Sequence, residues 1–86
     1  MSQATEVYAR EFDDRFYRLP GDIQHRIERK ITDMGSRLGQ FPHERMTGVN
    51  CFRLRIGDYR VIYEFSPAKE EIYLITVGHR REVYRR

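Results

Sequence analysis

The sequence has almost no cysteine: Cys51 is the only one in 86 residues. A single thiol excludes an internal disulfide framework and a cysteine-based zinc site, and it fits a reducing compartment. A cytoplasmic location is therefore expected. Long apolar runs are also missing. None approaches the roughly 18 residues that a membrane helix needs, and the N-terminal MSQATEVYAR lacks the apolar core of a signal peptide. No repeat, low-complexity tract or Pro/Gly/Ser-rich linker divides the chain. Its length leaves room for one core, so residues 1–86 are expected to form a single domain. Lysine is the last scarcity. Of 16 basic residues only Lys30 and Lys69 are lysines. Lysine is the usual solubilising cation, whereas the planar fork of arginine suits bidentate contacts to phosphate.

What charge there is lies at one end. Residues 1–51 hold eight basic and eight acidic side chains, which cancel. Residues 52–86 hold eight basic and five acidic ones, and so carry the whole net charge of +3. A basic, one-sided chain points to nucleic acid or an acidic protein as partner.

Hydrophobic spacing orders the elements. Phe12, Phe16 and Leu19 fall at i, i+4 and i+7 of a short helix, which Pro20-Gly21 breaks. Asp22 is placed to cap a second helix, whose apolar stripe runs through Ile23, Ile27, Ile31, Met34 and Leu38. So short a link predicts an antiparallel helical hairpin. Gly35 weakens the last turn of the second helix, and Gly39 to Pro42 end it. A short strand is expected over residues 6–10. Beyond the loop HERMTGVN the period changes to two, giving strands at 52–56, 59–65 and 71–79.

Gly57-Asp58 reads as a two-residue turn with glycine first, as in type II′. That turn sets Ile56 opposite Tyr59, Arg55 opposite Arg60, Leu54 opposite Val61 and Arg53 opposite Ile62. One face then carries Phe52, Leu54, Ile56, Tyr59, Val61 and Tyr63 toward a core, with the two phenol ends wet. The other face gathers Arg53, Arg55 and Arg60, with no acid nearby except Asp58 in the turn. Arg55 facing Arg60 costs about 0.2–1 kcal/mol of repulsion, which an anion over the cluster would offset. The terminal HRREVYRR adds four arginines, a histidine and a tyrosine. Arginine for phosphate and tyrosine for an unpaired base is equipment suited to single-stranded RNA. His25 and His43 are expected at the surface, and Cys51 at a strand start without thiol chemistry.

GDYRVIYEF followed by VGHRREVY resembles the RelE side of the RelE/ParE toxin superfamily. The resemblance implies an α+β fold: an N-terminal helical hairpin packed on a small, mainly antiparallel sheet of three to four strands. It implies a toxin of a type II toxin–antitoxin system, an endoribonuclease that cuts mRNA in the ribosomal A site and so inhibits translation. The chemistry implied is attack of a ribose 2′-OH on the adjacent phosphate, with no metal and no cofactor. The implied partners are a cognate antitoxin, the ribosome and mRNA, with no membrane and no DNA contact by the toxin alone.

On the matching positions, Arg53 and Arg55 correspond to two basic residues that hold the substrate. Arg60 corresponds to the arginine that stabilises the transition-state phosphate and Arg80 to one that assists the leaving group, while Arg81 is expected to bind substrate with Arg53 and Arg55. Tyr84 corresponds to a C-terminal tyrosine that orients or stacks on the substrate. The archetype has lysines where this chain has Arg53 and Arg55, and arginine does not act as a base in water. The proton acceptor therefore falls to Tyr84, its phenolate favoured by Arg80 and Arg81, or to His79, whose reference pKa is about 6.5. Two other readings share the fold: a ParE-like inhibitor of DNA gyrase, and a non-catalytic module that only binds its antitoxin.

Overall fold

The computed structural model describes residues 3–83. Chain order is β1 (Thr5–Tyr8), α1 (Arg10–Phe16), α2 (Gly21–Ser36), β2 (Glu44–Arg45), β3 (Phe52–Ile56), β4 (Tyr59–Ser66), β5 (Glu71–His79) and α3 (Arg80–Val83). The strands form one sheet in the order β1-β5-β4-β3-β2. Only β1 is parallel to its neighbour, so the sheet is mainly antiparallel, as expected. It has five strands rather than three or four, because two residues of the HERMTGVN loop pair with β3.

The helices form where the apolar spacing puts them. Phe12 and Phe16 of α1 are buried, as are Ile27, Ile31 and Met34 of α2. They meet Leu54, Ile56, Val61, Tyr63, Ile72, Leu74 and Val77 from the sheet. Burying side chains of this size contributes roughly 1.5–3 kcal/mol each. Three local expectations change. Asp22 does not cap α2: the helix starts a residue earlier behind Pro20, and Asp22 lies in its first turn beside the positive end of the helix dipole. Leu38 is buried but lies past the helix end at Arg37. The first strand ends at Tyr8, because Arg10 already begins α1.

The β3–β4 hairpin has the register that its two-residue loop requires, from Phe52–Tyr63 through Arg55–Arg60 to Ile56–Tyr59. Gly57 has φ +58° while Asp58 is not in the left-handed region, as a glycine-first turn demands. Between β4 and β5 the register slips. Ile62 pairs with Thr76 and Tyr63 with Leu74, which leaves Ile75 unopposed.

Tyr63 is fully buried, so its phenol end is not wet. It finds a partner in His43, which the sequence reading placed at the surface. The Tyr63 hydroxyl lies 2.6 Å from His43 Nδ1, and His43 Nε2 lies 2.8 Å from the Leu38 carbonyl. A neutral His43 accepts from Tyr63 and donates to Leu38, satisfying every group in the chain. Its ring also stacks on Phe65 with centroids 3.8 Å apart. His43 thereby anchors the chain immediately before β2.

Candidate functional site

Arg53 and Arg55 alternate on β3, and Arg60 stands opposite Arg55 on β4. The start of α3 folds over the same end of the sheet. Its first N–H, from Arg80, donates to the Asp58 carbonyl at 2.8 Å, and Arg80 Nε lies 3.8 Å from Asp58 Oδ1. The hairpin turn therefore docks the terminal segment. Arg53, Arg55, Arg60, Arg80 and Arg81 together line one open cleft of about 340 Å³.

Arg53, Arg55 and Arg60 are held in place. Arg60 Nη1 donates to the carbonyls of Gly57 at 2.7 Å and Tyr59 at 2.9 Å. This folds the side chain back on its own turn and fixes it without consuming an acid. Arg55 donates to both oxygens of Glu44, through Nε at 2.9 Å and Nη2 at 2.7 Å. Arg53 Nε lies 3.1 Å from Glu44 Oε2. Along the strands themselves the only acid near these arginines is Asp58; β2 brings Glu44 across as a second. Hydrogen bonding to Arg55, then the charges of Arg53, Arg55 and Arg60, hold the Glu44 carboxyl below the usual carboxylate range. Glu44 is ionised at neutral pH and bridges the two arginines of β3.

The sequence-predicted residues separate into two groups. Arg53, Arg55, Arg60, Arg80 and Arg81 converge. His79 does not join them. It lines a second cleft with Arg15, Arg18, Tyr59 and Glu82, and its Nδ1 accepts from the Arg81 backbone N–H at 3.2 Å. Tyr84, the other candidate base, lies outside the described residues. Cys51 is half-buried just before β3, and desolvation and the neighbouring Glu64 push its thiol up, away from nucleophilic use. Among the described residues no group of three or more His, Cys, Asp and Glu side chains is placed to hold a metal ion. No helix among them is long and apolar enough to cross a membrane.

Solved structures similar to this one include toxins alone and toxins with their antitoxins. The toxin–antitoxin complex RelBE2 from Mycobacterium tuberculosis matches with a TM-score of 0.79 and 18% identity, over 95% of this chain and 97% of that one. The isolated E. coli RelE toxin matches with a TM-score of 0.76 and 17% identity, over 94% and 90%. The RelB-RelE complex from Methanococcus jannaschii gives a TM-score of 0.71 and 25% identity, over 91% and 94%. No curated protein matches the sequence significantly. The family model of the ParE toxin of type II toxin–antitoxin systems matches residues 7–84. With that match over nearly its whole length, and with a fold shared with RelE toxins, the chain belongs to the ParE toxin family of the RelE/ParE superfamily.

Proposed function

We propose that this toxin is a metal-independent endoribonuclease that cuts mRNA on the ribosome and is neutralised by a cognate antitoxin. The observation that carries this reading is the convergence of five arginines on one open cleft. Such a cleft suits the charge that builds on a phosphate during 2′-OH attack. Arg53 and Arg55 grip the phosphate oxygens of the strand. Arg60, braced by the turn carbonyls, stabilises the pentacoordinate phosphorus as its charge grows. Arg80 hydrogen-bonds the departing 5′ oxygen, which takes its proton from water.

The proton acceptor in this reading is Glu44. A phosphate entering the cleft competes with it for the Arg55 fork and leaves an ionised carboxylate at the edge of the ribose. There it accepts the 2′-OH proton as the oxygen attacks and the P–O5′ bond breaks, giving a 2′,3′-cyclic phosphate and a 5′-OH. Tyr84 then serves as a stacking platform for a base rather than as the base catalyst. The antitoxin partner is inferred from the complexes in which similar toxins are seen.

The ParE identity of the matching family model favours a second reading, inhibition of DNA gyrase by binding. One experiment separates the two. Programmed ribosomes are mixed with the toxin and a defined message, and 5′ ends are mapped by primer extension. Cleavage at A-site codons is expected. Loss of one stabilising donor in Arg60→Ala should slow it by about 10²–10³-fold, and Glu44→Gln by about 10²-fold or more with RNA binding retained. Intact message accompanied by broken DNA in a gyrase assay would support the ParE-like inhibitor instead. Neither effect, with tight antitoxin binding, would leave only a binding module.

A further inference from the structure

The larger cleft beside the arginine site has no part in the chemistry above. It measures about 510 Å³ and lies between α1 and the end of β5, with Leu19 on its floor. Arg15 and Arg18 enter it from the helix side, Tyr59 and His79 from the sheet, and Glu82 from α3. Tyr59 and His79 pair across β4 and β5 and meet edge to face, with centroids 5.7 Å apart. Because His79 Nδ1 accepts from the Arg81 N–H, the neutral ring carries its proton on Nε2, leaving that N–H for a ligand. The lining of the second cleft includes Gly78. This residue is the register partner of Arg60, and a Cβ built on it would lie 3.3 Å from Arg15 Nη1. Along α3 the lining divides: Arg80 and Arg81 line the arginine site, and Glu82 lines the other.

We propose that this second cleft binds the nucleotide one step beyond the pair that flanks the scissile phosphate, so that the RNA strand passes over Gly78 and α3 from one cleft into the other. Arg15 and Arg18 supply cations for its phosphate, and Arg15 is already oriented by its ion pair with Glu11 at 3.6 Å. Tyr59 and His79 supply an aromatic wall for an unpaired base, with His79 Nε2–H as a donor to its edge. The volume is that of a small-ligand site rather than of a protein interface. The inference rests on the RNA reading of the arginine cleft, and places a determinant of sequence preference outside it.

The test is binding of single-stranded RNA to the full chain, with a 2′-deoxyribose at the scissile position to prevent cutting. Two probes are used: a dinucleotide that occupies the arginine cleft alone, and a hexanucleotide long enough to cross α3. Arg18→Ala and His79→Gln should each weaken the hexanucleotide by about tenfold and change the dinucleotide by less than about twofold. In the unsubstituted protein, the His79 ring resonances should move with the hexanucleotide and stay with the dinucleotide. Unchanged hexanucleotide binding in both variants, equal losses at both lengths, or a His79 ring that moves with neither probe overturns the second cleft alone. An unsubstituted protein that binds neither probe overturns the RNA reading as well.

Discussion

At the scale of single residues, Glu44 is what holds the two arginines of β3. Arg55 sits on β3 with its fork already turned to the Glu44 carboxylate and Arg53 with its Nε beside it, so both are pre-arranged for an anion before one arrives. The same contact has a pH signature. Glu44 is depressed in the folded chain, chiefly by its hydrogen bonds to Arg55, so its contribution to stability is present above the unfolded carboxylate pKa. It is lost as pH falls through the folded value. Glu44→Gln lacks the contribution at every pH. The variant should therefore melt below the parent at pH 7, and the gap should close as pH drops through and below the ordinary carboxylate range. Thermal melts at a series of pH values check this; a gap that persists or widens in acid would mean that the arginine contacts do not stabilise the fold. Nothing in the local sequence around Glu44 announced this role. HERMTGVN has no period, and the partners of Glu44 lie on β3 beyond that loop.

At the scale of elements, legibility follows how local the determinant is. The hairpin was readable because a two-residue loop leaves one register, and Gly57-Asp58 names the turn that delivers it. The helices were readable because Phe12, Phe16, Ile27, Ile31 and Met34 keep a helical spacing. What could not be read depends on contacts distant in sequence. Two residues of β2 carry too little pattern to identify a strand. Tyr63 looked half-wet because strand alternation says nothing of a histidine 20 residues upstream that reaches its hydroxyl. Arg53, Arg55 and Arg60 were legible as one face of the hairpin. That Arg80 and Arg81 join them while His79 does not was not legible, because it depends on which side of the sheet end α3 turns toward. The turn ties these pieces together, since its carbonyls hold both Arg60 and the first N–H of α3. Gly57→Ala places a side chain at φ +58°, with Arg26 Nη2 at 3.0 Å from the new Cβ. It should cost about 1–3 kcal/mol of stability, read from urea denaturation. Because Arg60 leans on the Gly57 carbonyl, RNA cleavage should also fall by more than the loss of folded protein explains.

At the scale of the whole molecule, the charge is where the work is proposed to be done. The chain has 16 basic and 13 acidic residues. The arginine cleft holds five of the former, with Glu44 and Asp58 against them, for a local charge of +3. Removing those seven residues leaves 11 basic and 11 acidic side chains, so the remainder of the protein is neutral. A remainder with no net charge gives little long-range attraction to polyanions, and binding of a single strand should be governed by the phosphates that enter the arginine cleft and its neighbour. Each neutralised phosphate of a single strand contributes a slope of about −0.7 in log affinity against log salt. Two or three phosphates in the arginine cleft and its neighbour predict a slope of about −1.4 to −2.1 for a non-cleavable hexanucleotide. Arg60→Ala should make the slope shallower by about 0.7, the share of one contact, whereas Arg29→Ala on the exposed side of α2 should leave it unchanged. A slope near zero would mean that the cleft does not bind phosphate. A steep slope shared equally among distant arginines would mean that the whole surface, rather than one built site, attracts the strand. Measuring it separates a local phosphate cradle from a generally basic protein, because only a cradle concentrates the salt dependence in so few residues.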